Sequence, residues 1–114
     1  MINYTDFLRL LYAVPDCATL DEYIAECGGS VPLDDVNQVI DLLGLIYEIG
    51  CDLSIKTIAA ACGISVRRLA MSYGIPTRTV ENWSSGAARP PLWQLPLIAY
   101  AAISDVMQKE PPHA

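Results

Sequence analysis

The sequence predicts an all-α protein of about seven helices. Apolar residues recur at spacings of three and four along most of the chain, which is the pattern of amphipathic helices. Residues that favour helix N-termini precede several of these segments, and glycine or proline follows them. No stretch alternates apolar and polar residues as a half-buried strand does. Periodicity and helix-end signals therefore agree on the fold class.

The first two predicted helices are short. Residues 4–13 hold apolar residues in a helical pattern, which Pro15 ends. Thr19 and Glu22 have the pattern of a capping box. In such a box the threonine accepts a hydrogen bond from the third backbone N–H, and the glutamate returns to the N–H of the cap. Gly28-Gly29 ends this second helix.

The third predicted helix is longer and more apolar. It begins after Pro32 with an acidic first turn, formed by Asp34 and Asp35, and it runs to Gly50. Apolar residues cover well over half of its circumference: Val36, Val39, Ile40, Leu42, Leu43, Leu45, Ile46 and Ile49. Such a helix is either central to the core or shared with a second subunit.

A pair of short helices joined by a tight turn is predicted within residues 66–85. Leu69 and the small Ala70 lie one turn before Gly74, where the second helix crosses close to the first. Gly74 supplies the turn, because a residue with a side chain is strained at positive φ. Pro76 opens the second helix, since its fixed φ suits a first helical turn.

The second helix of this pair has a buried side and an exposed side. Val80 and Trp83 are three residues apart and form the buried side, so we interpret Trp83 as a core residue. The polar side chains left outside are Thr77, Arg78, Glu81, Asn82 and Ser85.

The sequence also contains an earlier possible register for this pair. The segments CGISVRRL and YGIPTRTV repeat each other eleven residues apart. Ser54 caps a predicted helix over residues 55–62. In the earlier register this helix is the first of the pair, and residues 66–73 form the second helix with Arg67 and Arg68. That register needs a core side chain at Ser72, whereas the later register finds Trp83 at the equivalent place. We therefore take residues 63–65 as the corner before the pair.

The helix pair resembles the helix-turn-helix of the lambda-repressor/Cro-like (Xre-type) family, in particular small bacterial and phage proteins with the pattern YGIP-x-RT-[VL]-x-NW-x-x-G-x-x-x-PP. The matching residues are Tyr73-Gly74-Ile75-Pro76, Arg78-Thr79-Val80, Asn82-Trp83, Gly86 and Pro90-Pro91. The resemblance covers about Ser54 to Ala102. Many relatives carry Gln where this chain has Val66 and Glu where it has Ser84. The missing Gln removes a usual phosphate and base-edge clamp. The resemblance implies a lambda-repressor-like helical bundle that binds DNA.

Charge is divided unevenly along the chain. The net charge is −6 over 114 residues. Residues 1–53 carry ten acids and one arginine, whereas residues 54–114 carry six basic residues and three acids. This asymmetry is typical of chains in which one part meets an anionic partner. We therefore predict an acidic helical extension over residues 1–53, a helix-turn-helix domain over 54–108 and a tail over 109–114.

Several classes of function find no support in the sequence. Cys17, Cys27, Cys51 and Cys62 form no C-x-x-C pair, and the single histidine lies near the C-terminus, so we expect buried free thiols and no metal site. No Ser/His/Asp set or glycine-rich phosphate loop is present, so we expect neither an enzyme nor a cofactor. No apolar run spans a bilayer and no signal peptide is recognisable, so we expect a cytoplasmic protein.

The polar face of the second motif helix supplies the predicted DNA contacts. Arg78 matches guanine and Asn82 matches adenine in the major groove. Glu81 could accept from cytosine N4, repel a wrongly placed phosphate or pair with Arg78 in the free protein. We expect Thr77 and Ser85 at phosphates or base edges. Backbone contacts are expected from three arginines: Arg67, Arg68 and Arg89.

The sequence therefore predicts a sequence-specific transcriptional regulator of bacterial or phage type, a repressor that binds double-stranded DNA as a homodimer on an inverted repeat. In the C-terminal part of the chain, Pro96 predicts the start of the final helix, because its fixed φ suits a first helical turn. The alternative is a protein-interaction module, such as an antitoxin or a DNA-mimicking inhibitor. In that case residues 1–53 bind a basic protein, and the helix-turn-helix serves as a scaffold.

Overall fold

The computed structural model describes residues 1–109, and this part of the chain contains seven α-helices and no strand. The prediction of an all-α fold is confirmed. Short 3₁₀ turns at Val14–Asp16 and Gly28–Ser30 follow the first two helices. The helices are α1 Tyr4–Ala13, α2 Leu20–Cys27, α3 Val36–Cys51, α4 Ile55–Ala61, α5 Val66–Ser72, α6 Thr77–Ser85 and α7 Gln94–Lys109.

Side-chain caps define most helix starts. Ser54 Oγ accepts a hydrogen bond from the backbone N–H of Thr57 at 3.2 Å and begins α4. Thr19 Oγ1 accepts from the N–H of Glu22 at 3.1 Å and begins α2. The returning half of the capping box differs from the prediction, because Glu22 Oε2 accepts from the N–H of Ala18, one residue before the cap, at 3.0 Å. The two bonds satisfy one free N–H group of the first helical turn and one N–H group just before the cap.

Two helix starts differ from the sequence prediction. Asp35 is the N-cap of α3 and accepts from Asn37 N–H at 2.8 Å, so it lies before the first turn and not within it. The last helix begins at Gln94, two residues before Pro96. A proline is tolerated there because the first backbone N–H groups of a helix have no intrahelical partner. The helix also runs to Lys109, and the rest of the predicted tail lies outside the described residues.

The third helix is the centre of the bundle. It packs against α1, α2, α4 and α7. The sequence left two interpretations of its broad apolar surface, a central place in the core or a contact with a second subunit. Most of this surface is buried in the core, although Val36 and Ile40 remain exposed at the N-terminal end of the helix. Its buried residues are Leu42, Leu43, Leu45, Ile46 and Ile49.

Residues from both halves of the chain share one hydrophobic cluster. The ring of Tyr100 in α7 lies 5.2 Å from the rings of Tyr4 and Phe7 in α1. Tyr100 Oη also donates a hydrogen bond to the carbonyl oxygen of Ile2 at 2.6 Å. The N-terminal helices therefore cover the last helix, and the domain boundary at residue 53 stays a prediction from charge.

The four cysteines are free thiols in different surroundings. The expectation of buried thiols holds for Cys27, whereas Cys17 and Cys62 are partly buried. It is wrong for Cys51, which is exposed at the end of α3. None of the helices in residues 1–109 combines the length and apolar character that a membrane span requires.

Candidate nucleic-acid interface

The turn between α5 and α6 is held by local geometry. Gly74 has a φ of +67°, a conformation that residues with a side chain rarely adopt. The backbone N–H of Ile75 donates to the carbonyl oxygen of Ala70 at 2.9 Å and closes the end of α5. Leu69 and Ala70 are completely buried, as expected where two helices cross closely. These residues give α5 and α6 a defined angle without a long loop.

The same turn geometry occurs between α4 and α5. Gly63 has a φ of +71°, and Ile64 N–H donates to Ala59 O at 3.0 Å. The internal repeat in the sequence is therefore a structural repeat. The two registers differ in the second helix, because Ser72 on α5 is exposed whereas Trp83 on α6 packs against the core. This difference favours the later register.

The inner side of α6 anchors the helix to the rest of the protein. Val80 is fully buried and Trp83 is partly buried against the hydrophobic cluster, as the sequence predicted. Pro76 is the N-cap, one residue before the helix and not within its first turn as the sequence predicted, and it makes no side-chain cap. Gly86 ends the helix with a φ of +84°. The principal contacts of α6 are with α4 and α5.

The outer side of α6 gathers four of the predicted contact residues. At 3.6 residues per turn, Arg78, Glu81, Asn82 and Ser85 fall within an arc of about 100°. Arg78, Glu81 and Ser85 are exposed, and Asn82 is partly buried. Thr77 is also partly buried and lies beside this arc at the first turn. The helix therefore presents one continuous polar face with Arg78 and Asn82 one turn apart.

Two side chains on this face are not held by charged partners. Arg78 and Glu81 form no ion pair within residues 1–108, so the suggested pairing of these two residues in the free protein is absent. Ser85 Oγ makes local hydrogen bonds at the end of α6, donating to Asn82 O at 3.3 Å and accepting from Ala87 N–H at 3.4 Å. Arg78 thus keeps its donors available, whereas Ser85 contributes to ending the helix.

The remaining predicted contacts lie apart from this face. Arg67 and Arg68 are exposed near the start of α5, where Ser65 Oγ caps the helix by accepting from Arg68 N–H at 3.0 Å. They border a shallow depression together with Met71 and Ser72. Arg89 is exposed in the loop after α6. Arginines therefore lie at the start of α5 and beyond the end of α6.

Sequence reasoning missed other notable side chains. Trp93 is 64% exposed before α7, and Met71 is 74% exposed on α5. The neighbouring Pro90-Pro91 suggested a loop there but did not indicate an exposed indole. Tyr73 Oη donates to Asp105 Oδ2 at 2.6 Å across 32 residues, and no spacing rule predicts such a pair. Tyr12 in α1 is also largely exposed, at 62%.

The described residues offer no group of three or more His, Cys, Asp or Glu side chains placed to hold a metal ion. The single histidine, His113, lies outside them. No protein-family model matches the chain, and no curated protein or solved structure matches it at a significant level.

Proposed function

We propose that α5, the turn at Gly74 and α6 form a helix-turn-helix, and that the protein is a sequence-specific regulator of transcription. One observation carries the proposal: α6 is anchored by Val80 and Trp83 on one side and presents Arg78 and Asn82 on the other. The resemblance to lambda-repressor/Cro-like proteins gives the same assignment. In this proposal α6 is the helix that enters the major groove of double-stranded DNA.

The exposed side chains match what the major groove displays. An arginine can donate two hydrogen bonds to the O6 and N7 atoms of guanine, and an asparagine can bond N6 and N7 of adenine. Glu81 on the same face can accept from the N4 amino group of cytosine. Because Arg78 and Asn82 are one turn apart, they would meet neighbouring base pairs. Bidentate contacts of this kind discriminate between bases.

Contacts with the DNA backbone would position α6 without reading sequence. Arg67, Arg68 and Arg89 are exposed and can neutralise phosphates. Thr77 and Ser85 can donate to phosphate oxygens or base edges. Residues 66–89 contain four arginines and one glutamate, so this segment is basic in a chain of net charge −6. The positive charge that would attract DNA phosphates is therefore concentrated at the proposed interface.

A homodimer on an inverted repeat would extend the contact over two half-sites and occlude a promoter in the cytoplasm. Val36 is 69% exposed and Ile40 is 39% exposed at the start of α3. Such apolar positions on the acidic half suit a contact between subunits away from the phosphates. The N-terminal helices would then set the separation of the two α6 helices.

The alternative proposal is a protein-interaction module. The ten acidic residues of 1–53 favour it, because an acidic surface can bind a basic protein or imitate the charge of DNA. In that case the protein would have no affinity for duplex DNA, and α5–α6 would serve as a scaffold.

A salt titration on duplex DNA separates these two proposals. For a dimer that neutralises about six phosphates, the logarithm of the association constant should fall with the logarithm of salt concentration with a slope near −5. Fluorescence anisotropy of a labelled random duplex, measured at several salt concentrations, gives this slope. A basic peptide of matched length serves as the second ligand. Binding to the peptide with no measurable binding to DNA would favour the interaction module.

Replacing Arg78 by Ala tests which face reads the bases. After an operator has been selected from genomic fragments, Arg78→Ala should weaken binding by about 1–3 kcal/mol and relax the preference at one base pair. Arg89→Ala is the matched control, because losing a backbone contact should weaken all sequences alike. If Arg67→Ala instead altered base preference, α5 would be the reading helix and the earlier register would be right.

A further inference from the structure

A cavity of about 310 Å³ lies between the end of α4, the outer side of α5 and α7. Ligand pockets commonly have volumes of roughly 300 to 1,000 Å³, so this one suits a small molecule. Ile64, Ala102 and Val106 supply apolar lining, and Ala102 is almost fully buried. The cavity is separate from the polar face of α6. Among its lining residues, Arg68 is also one of the phosphate contacts proposed above.

Two side chains of opposite charge line this cavity without pairing. Arg68 and Asp105 both border it, and they form no ion pair with each other. The guanidinium of Arg68 has no partner within residues 1–108. Asp105 accepts a hydrogen bond from Tyr73. A positive and a negative group therefore border one cavity without forming an ion pair with each other.

Asp105 is the only acidic side chain among the residues that line the cavity. Burial, Glu48 and Asp105 raise the pKa of the Cys62 thiol to about 11, so this thiol stays neutral near pH 7. Burial and the hydrogen bond to Asp105 raise the pKa of Tyr73 above its ordinary value, so the phenol keeps its proton. An ionised carboxylate has about four acceptor positions, and Tyr73 occupies one of them. Asp105 can therefore accept further hydrogen bonds from a cation.

We propose that this cavity binds a small zwitterion of the amino-acid class, with its ammonium group on Asp105, its carboxylate on Arg68 and its apolar side chain on Ile64, Ala102 and Val106. An amino acid carries an ammonium group and a carboxylate, so it can bridge two oppositely charged protein groups that form no ion pair with each other. The apolar lining selects a ligand with a hydrocarbon body. Because Arg68 is also a proposed phosphate contact, the site is tested on the protein without DNA.

Titration of the full-length, ¹⁵N-labelled protein with L-leucine tests this site. Two analogues are the matched probes: 3-methylbutylamine lacks the carboxylate, and 4-methylpentanoate lacks the ammonium group. Leucine should shift the amide signals of residues 62–64, 72–74 and 102–106. It should bind at least about tenfold more tightly than either analogue, because each analogue loses a charge-assisted hydrogen bond.

Two variants assign the charges to their partners. Asp105→Asn should weaken leucine binding at least about tenfold and leave 4-methylpentanoate unaffected. The asparagine oxygen can still accept from Tyr73, so the fold should be preserved. Arg68→Gln should weaken leucine and leave 3-methylbutylamine unaffected. Asp21→Asn, at an exposed acid on α2, is the control and should bind leucine like the unchanged protein.

Three outcomes would overturn the proposal. The first is the absence of amide shifts in these three segments at millimolar leucine. The second is equal affinity for leucine and both analogues, because a cavity whose affinity does not depend on the charges of the ligand is not a zwitterion site. Equal losses in Asp105→Asn and Asp21→Asn would likewise show that only the overall charge of the protein matters.

Discussion

A fragment of residues 54–114 is expected to lose its helical structure when it is separated from residues 1–53. The buried side of α7 packs on α1 and α3 as well as on α4, so removing α1 and α3 exposes part of that apolar side to water. A chain of about 60 residues has little core to lose. We expect a far-ultraviolet circular dichroism spectrum of an unfolded chain and no cooperative thermal transition.

Mixing the two fragments provides the control for this experiment. Residues 1–53 added to residues 54–114 should restore helicity, because α1 and α3 supply the missing faces of the core. A 54–114 fragment that melts cooperatively on its own, near the temperature of the full chain, would instead show an independent C-terminal domain. That result would support the domain boundary that charge predicts at residue 53.

Alanine substitutions at two glycines of α3 are expected to change stability in opposite directions. A Cβ atom at Gly50 would lie 2.7 Å from Cγ2 and 2.9 Å from Cβ of Val14, which is buried at the start of the 3₁₀ turn after α1. Because Val14 cannot move away freely, Gly50→Ala should lower the free energy of unfolding by about 1–3 kcal/mol. Urea denaturation followed by circular dichroism measures this change.

Gly44 is the matched control in the same helix. A Cβ atom there meets no other atom within 4 Å. Gly44→Ala should therefore raise the free energy of unfolding by about 0.5–1 kcal/mol, since alanine restricts the unfolded chain and favours the helix. In a Val14→Ala background, Gly50→Ala should be less harmful. Stabilisation by Gly50→Ala in the unchanged protein would contradict the close packing of α3 on the turn.

Local signals in the sequence were sufficient for most helix ends. Thr19, Ser54 and Gly74 act on backbone groups within about five residues, so their effect depends little on the rest of the fold. The starts of α3 and α7 were predicted at the wrong residues, also because of local features of the sequence. Two adjacent aspartates left the choice of cap for α3 open, and a proline within a first turn does not identify the first residue of α7.

The polar face of α6 could also be predicted from the sequence. Helix geometry places residues three and four apart on one side, so Arg78, Asn82 and Ser85 share a face once the helix exists. Sequence could not tell which of these side chains remain unpaired. The ion pair suggested between Arg78 and Glu81 does not form, and Ser85 instead bonds at the helix end.

The sequence by itself determined that this protein is helical, where its turns lie and which side of α6 is polar, because each property depends on residues a few positions apart. Only the tertiary structure decided that α3 is central, that α1 covers α7 and that Arg68 and Asp105 face one cavity. The hydrogen bond from Tyr100 to Ile2 joins residues 98 positions apart. Such contacts arise when apolar faces pack to exclude water, and helical periodicity identifies those faces without specifying which of them meet.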